Sequence, residues 1–91
     1  MAKKRTRIDI VGDMLEAIQN KNGKIKPTHL MYKANLSHAQ LKLYLDELIE
    51  KEMIEVVKNN KDNTYLIITE TGDDFVQKWR EMQGFEKSFG F

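Results

Sequence analysis

Apolar residues recur along the start of the chain at helical intervals. Ile8, Val11, Leu15 and Ile18 fall on one helical face, and Ile10, Met14 and Ala17 form a second stripe roughly opposite, the spacing of an amphipathic helix. Thr6 followed by Asp9 has the spacing of a capping box, which marks the helix start. Lys21-Asn22-Gly23 supplies stop and turn chemistry just after Asn20. A helix with two apolar faces must bury both, within its own domain or against another chain. Ile25 predicts a short extended segment. Pro27 pre-sets the first turn of a helix running to about Lys33, with Leu30 and Met31 inward, and Asn35 suits a left-handed exit. Ser37 with Gln40 is a second capping box, and Leu36 with Leu41 has the spacing of a hydrophobic staple. A helix is therefore predicted from His38 to about Lys51, its core stripe being Leu41, Tyr44, Leu45, Leu48 and Ile49.

Beyond it the period changes from helical to extended. Ile54 to Lys58 and Thr64 to Ile68 are β-rich runs around Asn59-Asn60-Lys61-Asp62-Asn63, whose Asn and Asp favour turns, so a β-hairpin is predicted. Thr69 caps a last helix with Phe75, Val76, Trp79 and Met82 as its apolar positions. Gly84 predicts its end. The expected organisation is a basic arm over residues 1–5, a domain over 6–84 and an aromatic tail over 85–91.

Composition narrows the function classes. The chain has 91 residues, 41% of them apolar and 32% charged, the profile of one small soluble domain. Such a domain has a modest core, and a partner subunit would help it. There is no cysteine, which excludes disulfides and thiolate metal sites. His29 and His38 lie on different predicted helices and are not framed as ligands; Tyr32 and Tyr44 read as core residues. No apolar run approaches the roughly 20 residues of a membrane span and no signal peptide opens the chain, so a cytoplasmic protein is expected. Asp46, Glu47 and Glu50 have no nucleophile, ligand partner or glycine-rich loop beside them, and Asp73-Asp74 answer the helix dipole. No enzyme activity, metal, cofactor or small-molecule ligand is expected. Net charge is +1, but residues 1–35 hold eight Lys/Arg against three Asp/Glu.

The order of helix, strand, helix, turn, helix, hairpin and helix is an α+β, mainly helical plan: a three-helix core, a hairpin wing and a C-terminal helix. The residues strengthen it. Met31-Tyr32-Lys33-Ala34-Asn35-Leu36-Ser37, then Gln40-Leu41, Tyr44-Leu45 and Leu48, resembles the helix-turn-helix of small archaeal winged-helix regulators. Tyr65-Leu66-Ile67-Ile68-Thr69-Glu70-Thr71-Gly72, with Phe75 after it, resembles their second wing strand and final helix start. The resemblance covers roughly residues 27–76. It departs from the family where Glu52 stands at a position usually held by Gly. It implies binding of double-stranded DNA, often by homodimers joined through the C-terminal helix, in transcription or chromatin organisation.

In a helix-turn-helix the second helix enters the major groove with its N-terminal residues at the base edges. Ser37, His38, Ala39, Gln40, Lys42 and Leu43 are the candidates there. His38 and Lys42 are preferred over Gln40, whose side chain the capping box engages, and the acidic residues further along limit insertion to the first turns. Lys58, Asn59, Asn60, Lys61 and Asn63 are wing candidates for backbone contact, and Lys3, Lys4, Arg5 and Arg7 are arm candidates. Apolar residues in excess of one small core (Ile10, Met14, Phe75, Val76, Trp79, Met82 and Phe85) predict a homodimer interface. A second reading stays open, a winged-helix protein-interaction module without specific DNA binding, which the low net charge favours.

Overall fold

The computed structural model describes residues 5–90. The chain runs α1 (Arg7–Gln19), β1 (Lys24–Ile25), α2 (Pro27–Lys33), α3 (His38–Glu50), β2 (Ile54–Lys58), β3 (Thr64–Ile68) and α4 (Glu70–Ser88). The strands form one antiparallel sheet in the order β1-β3-β2, with Ile25 opposite Leu66 and Val56 opposite Leu66 from the other side. Ile25 and Leu66 are buried, so this row faces the helices.

Both capping boxes form. Thr6 accepts from the Asp9 N–H and Ser37 from the Gln40 N–H, at 3.1 Å each, while the Asp9 and Gln40 side chains return to the cap N–H groups. Each of the first three helices ends in a Schellman-type exit, in which a left-handed residue turns the chain and two backbone bonds close the last turn. The left-handed residues are Asn22, Asn35 and Glu52. At the third exit Met53 N–H reaches the Leu48 carbonyl at 2.9 Å and Glu52 N–H the Ile49 carbonyl at 3.0 Å. The sharp exit expected at Asn35 is present, and at Glu52 the same geometry is held by a glutamate.

α1 lies at the centre, against α4 on one side and α2 and the sheet on the other. Ile10, Met14, Leu15 and Ile18 are buried, and Val11 and Ala17 pack against them. Both stripes of α1 are thus used inside the domain, apart from Ile8 in the first turn, which is 50% exposed. This corrects the interface expected for Ile10, Met14, Val76 and Trp79: all four are core residues, because α4 folds back along α1 and covers its second face. Phe75 is half-buried against the same core, which leaves Met82 and Phe85 of the expected set, with Phe89, exposed. Trp79 lies over Gly12, where a Cβ would stand 2.4 Å from the indole, and its N–H donates to Asp9 at 3.4 Å. α4 does not stop at Gly84 but continues to Ser88, so residues 85–88 belong to the helix and not to a tail.

Thr69 joins the last helix to the exit of α3. Its hydroxyl donates to the Glu52 carbonyl at 2.6 Å and accepts from the Gly72 N–H at 3.2 Å. Gly72 lies so close to the Met53 carbonyl that a Cβ there would come within 2.4 Å of it.

Candidate nucleic-acid interface

Burial of Leu41, Tyr44 and Leu48 sets the rotation of α3 and turns His38, Ala39, Gln40, Lys42 and Leu43 to solvent, with Ser37 exposed at the cap. His38, Lys42 and Asp46 recur every four residues and line one wall of an open cleft; Val56 and Thr64 of the hairpin line the other. His38 and Lys42 therefore share a cleft with the hairpin, whereas Leu43 lies in a separate hollow with Asp46, Glu47 and Glu50. Gln40 Oε1 accepts from the Ser37 N–H at 3.0 Å, so its carbonyl is engaged in the cap. Ile49, expected in the core, is 41% exposed and lines the cleft together with Val56, itself exposed.

The wing is organised by Asn59. Its side-chain oxygen accepts from the backbone N–H groups of Lys61 at 2.9 Å and Asn63 at 3.0 Å, and Asp62 takes the left-handed conformation the turn needs. Lys58, Asn60 and Lys61 are exposed; Asn63 is half-buried. Lys58 stands 3.8 Å from Asp62, a surface pair in which both side chains are well exposed, a setting where such pairs contribute little.

The arm behaves differently from expectation. Lys3 and Lys4 lie outside the described residues. Arg5 pairs with Asp13 at 3.1 Å and donates to the Asn35 carbonyl at 3.1 Å, which ties the start of α1 to the helix-turn-helix turn. Arg7 forms an ion pair with Glu47 of α3. Both guanidinium groups have partners within the molecule, in surface pairs of the kind that contribute little. The Arg7 pair also draws Glu47, one of the three acidic residues of α3, towards α1.

Tyr32, expected in the core, is 74% exposed, because Leu30, Met31 and Ala34 define the buried side of α2 and position 32 falls opposite. Lys24, Lys26 and Tyr65 were absent from the candidate set. The ammonium of Lys24 lies 4.3 Å and that of Lys26 5.8 Å from the centre of the Tyr65 ring. Two lysines at alternate positions around a strand was the available signal.

The family model for the winged helix-turn-helix matches residues 4–87. The chain belongs to that family. As a winged helix it is similar in structure to Sso10a-2, a DNA-binding protein from Sulfolobus solfataricus, with a TM-score of 0.81 and 22% identity over 93% of this chain and 85% of that one. F93 from STIV, a winged-helix DNA-binding protein, gives a TM-score of 0.74 and 20% identity over 92% and 94% of the two chains. MepR, a transcription regulator from Staphylococcus aureus, gives 0.76 and 12% identity over 89% of this chain but 62% of its own length. No curated protein matches the chain in sequence. Among the described residues no helix is long and apolar enough to cross a membrane.

Proposed function

We propose that this winged helix binds double-stranded DNA in the cytoplasm as a homodimeric transcription regulator or chromatin-associated protein, without catalysis. The first turns of α3 enter the major groove, and the wing contacts the backbone. The observation that carries this reading is the exposed face of His38, Ala39, Lys42 and Leu43 beside a wing bearing Lys58 and Lys61. The DNA-binding proteins and the transcription regulator that share the fold support it. Lys is suited to guanine and an apolar side chain to a thymine methyl. The dimer reading rests on Met82, Phe85 and Phe89, which are 44%, 63% and 66% exposed along the far half of α4. Their spacing keeps them on one side of the helix, and an isologous contact between two copies would cover them.

Lys42→Ala tests the groove reading, because the side chain is exposed and its loss leaves the core intact. On a selected duplex the variant is expected to lose about 1–3 kcal/mol of binding, the range for a good base contact, and on a scrambled duplex much less. Equal losses on both would make Lys42 a backbone contact. Net charge of only +1 favours the second reading, an interaction module. No duplex binding at low salt by the full chain would refute the DNA reading and leave that one standing.

A further inference from the structure

Lys24 and Lys26 flank Ile25 on the edge strand β1. Ile25 points into the core, so by strand alternation both lysines project from the opposite face. Lys26 has extended backbone and continues that alternation up to the start of α2. Tyr65 of β3, paired with Val57, lies on the same outer face. Its ring receives both ammonium groups, at 4.3 and 5.8 Å. Among the described residues neither lysine is within ion-pair distance of a carboxylate. Two like charges gathered on one ring repel each other, and the ring quadrupole offsets only part of that. A polyanion completes the neutralisation.

We propose that Lys24, Lys26 and Tyr65 form a phosphate-binding platform that extends the DNA footprint from the wing to the base of the sheet. The proposal rests on the duplex-binding reading and adds a site to it. Tyr65 is one residue from Thr64, which pairs with Lys58 at the wing, so by the same alternation Lys58 leaves the hairpin on the α3 side and the platform flanks it from the other side. The ring acts by positioning: a lysine held before encounter loses less side-chain freedom on binding. The contacts are to phosphates and carry no sequence preference.

The test is a salt-dependent titration of the full chain on a duplex, with K24A/K26A, Y65F and Y65L as variants and circular dichroism as the check on folding. Each lysine that neutralises a phosphate contributes about 0.9 to the log–log salt slope. K24A/K26A is therefore expected to flatten the slope by about 1.8 and to weaken selected and scrambled duplexes alike. Y65F keeps the ring and should bind as the parent does. Y65L keeps the charges but frees them, and should bind about two- to fivefold more weakly, the equivalent of an exposed cation–π contact. An unchanged slope in K24A/K26A, on a duplex the parent binds, overturns the platform. Parental affinity in Y65L overturns the role of the ring, and should Y65L fail to fold, the lysine arm decides alone. Absence of duplex binding by the parent would refute the DNA reading itself, a different result from either.

Discussion

Glu52 holds a left-handed backbone, with φ of 58°, at the exit of α3, where the two preceding helices use Asn22 and Asn35. Asparagine tolerates that region; a glutamate side chain clashes with its own backbone there, at a cost on the order of 1 kcal/mol. Nothing offsets the cost through the side chain, since among the described residues the Glu52 carboxylate joins no ion pair. The hydrogen bond from Thr69 goes to the backbone carbonyl. Glu52→Gly is therefore expected to raise stability by about 0.5–1 kcal/mol, read as a higher urea midpoint at unchanged slope. Chemistry at this scale was legible wherever it is local. The capping boxes at Thr6 and Ser37 and the exit at Asn35 depend on residues within a few positions. The partners of Arg5 and Arg7 were not legible because Asn35 and Glu47 stand 30 and 40 positions along the chain from them, and no spacing rule reports such a partner.

At the scale of elements, the contact between α1 and α4 organises the domain, and Gly12 is its closest point. Alanine is the better helix former by about 1 kcal/mol, so on propensity alone Gly12→Ala would stabilise α1. Here the added methyl would meet the buried indole of Trp79 at 2.4 Å, and a packed ring cannot turn aside as a flexible chain end can. Overpacking of this kind typically costs about 1–3 kcal/mol. A net loss is expected, seen as a lower thermal midpoint; a gain would mean that the helices can separate. The two stripes of α1 were visible as a pattern, but which neighbour covers the second stripe was not, because Asp9 and Trp79 lie 70 residues apart. The continuation of α4 past Gly84 escaped notice for a different reason. The end was inferred from one poor helix former, while Glu81, Met82, Gln83, Glu86 and Lys87 around it favour a helix.

Over the whole molecule, the lysines of β1 and the wing gather at the sheet, and two exposed phenylalanines lie together on the far half of α4. The molecule is 50 Å along its longest axis and 22 Å along its shortest. Phe85 and Phe89 pack with ring centroids 4.8 Å apart and planes tilted by 42°, and both are exposed. Replacing both with lysine leaves the core untouched and puts charge into the surface proposed to join two copies. Sedimentation at micromolar concentration is expected to show a dimer for the parent chain and a monomer for the double variant. A monomeric parent would remove the dimer from the proposal and leave the DNA-binding surface as it stands.

One consequence of the core reaches beyond this chain. Its buried residues are hydrocarbon, thioether and aromatic side chains, and among the described residues no other polar or charged side chain is buried with them. Volume-conserving exchanges in such an interior usually cost less than about 1.5 kcal/mol, so its letters can drift one at a time across generations. The joints have no such latitude: at Gly12 and Gly72 a single added carbon meets an indole or a carbonyl. Descendants of this sequence would keep their outline through these few points of contact while the interior between them is rewritten.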